Sequence, residues 1–361
     1  MKITDITLQL AQIPQRDETP ESTSLVVLRQ QMALRLHTDE GLVGIGECFN
    51  TRIPGGVRAV MEKGLKPLLL GQDPLDRERL WELMYRQTYS YGRRGLALWA
   101  ISGVDIALWD LAGKVAGLPV YRLLGGPMRP RVPAYASLPR LPDPEWVAEV
   151  LRWRMADGFR AFKLHAHDLK SMETARRTVG DGAPVYVDVN GAYDRREAIA
   201  MTQEMRKLDM GWLEEPIFPL DDYEGLAQIT AQSGVPIAAG ENESTHYGFR
   251  EVISKRAVDI LQPSVARVGG LTAALKVAAM GDAWGLKVAS HSFYYGANWM
   301  AALHLIASIP NGMTVETPAA LKEDFVIGRP KLVDGELELP TAPGLGIELD
   351  DDVLAKYAVE E

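Results

Sequence analysis

The chain has 361 residues, 47% hydrophobic and 24% charged, with a formal net charge of −9. This suits a globular protein large enough for a barrel and a smaller attached domain, and it excludes a nucleic-acid partner, because no Lys/Arg cluster concentrates positive charge. Cys48 is the only cysteine, so no internal disulfide can form and a reducing cytoplasm is the expected setting.

The opening MKITDITLQLAQIP alternates apolar and polar residues and has no uncharged run of signal-peptide or membrane-span length, so a soluble protein with no membrane partner is expected. KITDITLQL and SLVVLRQQMALRLHTDEGLVGIGEC, the second with a DEG turn, predict a small antiparallel sheet within residues 1–50. From about Val57 to Ala116 the period becomes helical in AVMEKGLKPLLL, PLDRERLWELMYRQTY and GLALWAISGVDIALWDLAGKVAG, which predicts three helices. VYRLLGGPMRP breaks both periods and reads as a linker.

Beyond it, VPAYAS, FRAFKLH, PVYVDVN, MGWLEEP, PIAAGE, VDILQPS, LKVASH and MTVETP alternate with amphipathic stretches such as REAIAMTQEMRKL. Alternating strands and helices imply parallel pairing, and eight such strands imply a closed α/β barrel of TIM type. After Pro318 the pattern gives way to LVDGELELPTAPGLGIELDDD, a strand-and-turn segment expected to return to the N-terminal sheet.

Lys163, Asp188, Glu214, Glu241, Ser264, His291 and Glu316 each stand at the C-terminal end of an apolar strand, at separations of 25, 26, 27, 23, 27 and 25 residues. One strand–helix unit takes about this length, so the side chains should share the rim on which barrel enzymes place their active sites. A lone strand-end acid is ordinarily a cap on the next helix; a whole register of them is not accounted for in that way. Asp188, Glu214 and Glu241 lie on consecutive strands, and three converging carboxylates repel one another unless a cation neutralises them. All-oxygen ligands favour Mg²⁺, or Mn²⁺, over zinc; the alternative is a solvated acidic rim. Alternation puts Lys163, His165 and His167 on one face, and Glu215 on the face opposite Glu214.

In order and spacing, FKLH, VDVNG, WLEEP, AAGENE, DILQPSVARVGGL, SHSFYYG and VETP resemble the barrel strands of the mandelate racemase group of the enolase superfamily. RRGLALWAISGVDIALWDLAGK and APGLGIEL resemble the group's capping domain and C-terminal return, so the likeness covers nearly the whole chain. It implies an α+β capping domain over 1–125, a (β/α)7β barrel over 126–319, and a return segment, 320–361, that completes the cap. It also implies metal ligands at Asp188, Glu214 and Glu241, and abstraction of the α-proton of a carboxylate to an enediolate stabilised by the metal.

Lys163 matches the first lysine of the family's lysine-x-lysine pair, whereas the base position is His165 here. An imidazole can take a proton at neutral pH. His291 matches the second acid/base residue, but Ser264 stands where many members have an Asp that orients it, so the dyad is incomplete. Serine can orient an imidazole but cannot stabilise its cation as a carboxylate does. No lysine stands between Val258 and Val268, which weighs against the muconate-lactonizing and dipeptide-epimerase branches. Glu316 matches the last-strand acid that, when protonated, donates to the substrate carboxylate. Asn190 is a candidate for the substrate or ligand shell, and Arg16 and Arg52, in or beside the loops 17–23 and 49–56, for a distal polar group. YSYG and FYYG read equally well as core, and His37, His246 and His304 as structural or exposed.

Racemisation wants comparable bases on both faces, whereas dehydration needs one base and one acid. The unequal pair favours an acid-sugar dehydratase. The alternatives are a racemase, epimerase or cycloisomerase of a hydroxy acid, amino-acid derivative or sugar lactone, and a metal-binding member without turnover. The expected partner is a small carboxylate, and family members commonly form dimers or octamers.

Overall fold

A computed structural model of the chain describes residues 1–15 and 28–359; Arg16 and the loop 17–23 lie outside the described residues. The N-terminal strands β1 (Ile3–Pro14), β2 (Leu28–Thr38) and β3 (Val43–Cys48) form an antiparallel sheet in that order. The DEG turn closes β2 onto β3 through Thr38, whose backbone N–H and hydroxyl both donate to the Leu42 carbonyl, and Gly41 at φ 81° supplies the left-handed residue this needs.

Of the three helices expected next, Arg77–Thr88 and Leu96–Ala116 are regular, while the first is broken into Pro54–Ala59, a π turn over Val60–Leu65 and Lys66–Leu69. The wide turn runs into Pro67, which has no N–H to continue an α ladder. Leu96–Ala116 is long and apolar enough to cross a membrane by length and composition, but 83% of its apolar window is buried as the core helix of the cap. It meets β3 backbone to backbone: a Cβ on Gly46 would lie 2.1 Å from the Gly103 carbonyl oxygen.

The linker stretch begins with a helical turn, Val120–Leu123, and leads into the barrel. Its strands are β4 (Arg131–Ser137), β5 (Phe162–His165), β6 (Val185–Asp188), β7 (Leu213–Glu214), β8 (Ile237–Ala239), β9 (Ile260–Leu261), β10 (Lys287–Val288) and β11 (Val315–Thr317). All pair in parallel, β11 beside β4, and a bridge from Val288 to Gly312 closes the ring. Helices Pro144–Ala156, Leu169–Val179, Arg195–Lys207, Tyr223–Gln232, Thr245–Ser254, Gly270–Ala283 and Ala297–Ser308 alternate with them, giving the (β/α)7β order. Inside the barrel Tyr135, Tyr186 and Trp212 form a buried aromatic floor, with the Tyr186 and Trp212 rings stacked at 3.5 Å.

The C-terminal segment divides. The hairpin Leu332–Val333/Glu336–Glu338 adds antiparallel to the start of β4, whereas the last residues reach the free edge of β1, where Val359 N–H donates to Leu10 and Gln12 N–H to Tyr357. Between them Leu345 N–H donates to the buried Asp110 carboxylate, which also accepts from Ile45 N–H.

Candidate active site

The short strands explain why the rim residues converge. Side chains at the strand ends gather over the aromatic floor, where Glu214 accepts from Trp212 Nε1 and Lys163 faces the Tyr135 ring. Four of the helices that follow are capped by other acids: Asp143, Asp168, Asp194 and Asp222 accept from the backbone N–H groups of Trp146, Ser171, Glu197 and Gly225, while the helix after Glu241 has no side-chain cap. Asp188, Glu214 and Glu241 are left to face inward.

One carboxylate oxygen from each of these three lies within 4.8 Å of the others; Asp188 and Glu214 are buried and Glu241 nearly so. Lys163 is buried among them, its Nζ 2.9 Å from Glu214, 3.4 Å from Asp188 and 2.9 Å from Glu316. Trp212 Nε1 donates to Glu214 from the floor at 3.1 Å, and Asn190 N–H donates to Asp188 at 2.9 Å. Burial pushes Glu214 well above the usual carboxylate range, and the charges on Asp188, Glu316 and Glu241 add to this against the pull of Lys163. The cluster thus holds more negative charge than its neighbours balance, and its all-oxygen donors fit a hard divalent cation.

Two imidazoles flank the cluster. His165 Nε2 lies 3.3 Å from Asp188 Oδ2 and its Nδ1 2.5 Å from the Leu138 carbonyl oxygen. His291 Nε2 lies 3.1 Å from Glu241 Oε2 and 3.8 Å from Glu316 Oε2. Burial lowers the pKa of His291, opposed by Glu241 and Glu316.

Two expectations need correction, at Glu215 and Ser264. Glu215 does not turn away: β7 ends at Glu214, Glu215 sits at φ 43° where alternation no longer holds, and its buried carboxyl accepts from Asn242 Nδ2 at 2.9 Å. Burial and the nearby Glu241 raise it to about 8. Asn190, at φ 46° past the end of β6, reaches the ligand shell as one of its two expected roles, through its backbone N–H on Asp188, and the residue itself is exposed. At Glu316 burial alone would raise the pKa, but Lys163 and His291 bring it down to about 2, and the carboxylate accepts from Ser292 N–H at 3.0 Å. Ser264 does not reach His291. Its Oγ meets Tyr294 Oη at 2.6 Å, and it is Tyr294 that stands 3.3 Å from His291 Nδ1.

Tyr294 and Arg267 escaped the sequence reading. Arg267 lies in the loop after β9, 3.1 Å from Glu241 Oε1, with its guanidinium over the Phe49 ring of the cap. The SVAR and FYYG stretches carried both residues, but neither shows a period that separates them from core. Beside Tyr294, between cap and barrel, a cavity of about 470 Å³ is lined by Arg29, Gln31, Asn50, Thr51, Arg52 and Asn298, among others. Asn298 is buried with both amide atoms unpaired. Arg52 is exposed on its rim.

This site lies in a chain that matches two families in sequence: the mandelate racemase / muconate lactonizing enzyme N-terminal domain over residues 6–125, and the enolase C-terminal domain-like family over 145–353. The chain is 32% identical, over 100% of both lengths, to a D-galactarolactone cycloisomerase of Agrobacterium fabrum. It is 34% identical to an arabinonate dehydratase of Saccharolobus solfataricus, over 90% of each chain. A Streptomyces coelicolor racemase solved with bound magnesium superposes with a TM-score of 0.89 at 31% identity, covering 99% of this chain and 100% of that one. The chain belongs to the mandelate racemase / muconate lactonizing enzyme family of the enolase superfamily, and it is an enzyme of the lyase or isomerase type found there.

Proposed function

We propose that the chain is a Mg²⁺-dependent acid-sugar dehydratase, converting an aldonate or aldarate to a 2-keto-3-deoxy acid by loss of the α-proton and the β-hydroxyl. The observation that carries this reading is the unequal pair of imidazoles on opposite edges of the acidic trio, His165 against Asp188 and His291 against Glu241. Elimination asks for one base and one acid, and two dissimilar imidazoles suit it better than racemisation.

In this reading Asp188, Glu214 and Glu241 hold Mg²⁺, with Mn²⁺ an acceptable substitute. A divalent cation there supplies electrostatic stabilisation of the charge that develops as the α-proton leaves. Lys163 offsets the charge of the substrate carboxylate, His165 takes the proton, His291 gives one to the departing oxygen, and Glu316 fixes Lys163. Residues 1–125, completed by the part of 320–361 that reaches β1, cap the barrel, 126–319, and the polar cavity beside Arg52 and Asn298 suits a polyhydroxy chain. The dehydratase among the relatives supports the class, as does the cation found in a structural relative.

A cycloisomerase of a sugar lactone is the second reading, favoured by the full-length similarity to one. A panel of aldonates, aldarates and their lactones, incubated with Mg²⁺, separates the two: release of a 2-keto acid from open-chain acids supports dehydration, and turnover confined to lactones supports the second reading. His165→Asn is expected to slow exchange of the α-proton with solvent deuterium by about 10²- to 10⁴-fold. Full exchange in that variant removes His165 from the role of base.

A further inference from the structure

We infer that Tyr294 fixes His291 with its hydrogen on Nε2, as a donor toward the carboxylate cluster, while the Leu138 carbonyl fixes His165 in the opposite tautomer. The inference rests on the reading above, in which a proton is taken and an oxygen departs. For His165 the logic is short. A carbonyl oxygen only accepts, so Nδ1 carries the hydrogen, and Nε2 of the neutral ring presents a lone pair to the cluster.

For His291 the partner is a phenol, which can give or take, and its other contacts decide which. Tyr294 Oη is shared by Ser264 Oγ at 2.6 Å, by His291 Nδ1 at 3.3 Å and by the Arg267 guanidinium. Arg267 has only hydrogens to offer, and its charge turns one lone pair of Oη toward it. With Ser264 donating into the other, the hydrogen of Tyr294 goes to Nδ1 and each hydrogen in the relay has an acceptor. In the reverse arrangement Nδ1 donates to Oη and Oη to Ser264 Oγ. The hydroxyl hydrogen of Ser264, in a fully buried side chain, then has no acceptor among the described residues.

The far nitrogen agrees. Nε2 lies 3.1 Å from Glu241 Oε2 and 3.8 Å from Glu316 Oε2. A lone pair there would face two anions, whereas an N–H satisfies one of them. A carboxylate at the position of Ser264 would have accepted from Nδ1 and left Nε2 as a base. The Ser264–Tyr294 pair gives a hydrogen instead and leaves Nε2 as an acid.

The proton account closes. His165 Nε2 takes the α-proton; the bond from the β-carbon to its oxygen breaks with the electron pair leaving on oxygen. That oxygen takes the Nε2 hydrogen of His291 and departs as water. Nδ1 takes the hydrogen of Tyr294, whose phenolate is left against Arg267 and the Ser264 hydroxyl. Solvent returns a proton to Nε2 of His291, whose Nδ1 hydrogen passes back to the Tyr294 phenolate, as His165 loses the one it took. Tyr294 acts through the imidazole and is a positioning residue.

Nitrogen NMR of histidine-¹⁵N-labelled protein loaded with Mg²⁺ alone tests the tautomers without any substrate, with His165→Asn and His291→Asn giving the assignments. The expected result is a hydrogen on Nε2 of His291 and on Nδ1 of His165, with Tyr294→Phe mixing the tautomers of His291 and leaving His165 as it was. A hydrogen on Nδ1 of neutral His291 in the unmodified protein overturns the inference. In turnover, Tyr294→Phe should lower kcat for water loss from an aldonate about 10- to 100-fold. Fluoride loss from the 3-deoxy-3-fluoro analogue, which needs no proton, should stay within about threefold. Equal losses for both leaving groups also overturn it. Inactivity of the unmodified enzyme on every acid sugar counts instead against the proposed reaction, and the nitrogen spectra then decide the tautomers by themselves.

Discussion

Lys163 carries a single ammonium into a group of four carboxylates, Asp188, Glu214, Glu241 and Glu316, so the charge of that group is the quantity a divalent cation alters most. Removing one ligand takes away both a donor atom and a unit of negative charge. Asp188→Ala and Glu241→Ala should each weaken Mg²⁺ binding measured by calorimetry by about 100-fold, and lower turnover at least as much. Unchanged affinity in both variants would falsify the metal assignment. At this scale the sequence was readable wherever a residue sat on a strand. Lys163, Asp188 and Glu214 fall where their register puts them. Alternation failed just past the strand ends, at Glu215 one residue beyond β7 and at Asn190 two beyond β6, because both adopt positive φ. Ser264 was located but misread, since its partner is set by the loop carrying Tyr294, thirty positions away.

The elements are joined by buried polar staples that no periodicity announces. His304, on the helix Ala297–Ser308, accepts from Tyr121 N–H at 3.0 Å through Nδ1 and donates to the Leu345 carbonyl at 3.1 Å through Nε2, tying the linker to the C-terminal return. Burial lowers its pKa from 6.5 to about 4. The unfolded chain therefore binds a proton in a range where the folded one does not, so stability from this group is complete above about pH 6.5 and is lost as the pH falls toward 4. The whole effect is about 3 kcal/mol. Urea unfolding of His304→Gln against the parent from pH 7 to 4 should show a flatter pH slope in the variant; parallel slopes would remove His304 as the cause. Element order and type were legible because short apolar runs and amphipathic stretches alternate so regularly. The broken first helix was not, since its cause is the missing N–H of Pro67, which affects the turn before it.

Across the whole molecule, the cap and the barrel are not two beads on a string. The cap's core helix, its sheet and the return segment meet at Asp110, and the last residues complete the edge of β1. A chain ending at residue 349 should therefore keep barrel secondary structure by circular dichroism while the amides of β1 lose protection in hydrogen exchange. Protection equal to that of the full chain would show that the return segment does not support the sheet.

That closure also has a consequence in time. During synthesis the outer edge of β1 is made long before its partners, Tyr357 and Val359. At roughly 5–20 residues per second, the intervening length keeps that edge open on the ribosome for on the order of half a minute. An unpaired strand edge is a template for other chains, so the nascent chain carries an open edge through that interval, and the edge is sealed only once Tyr357 and Val359 have emerged.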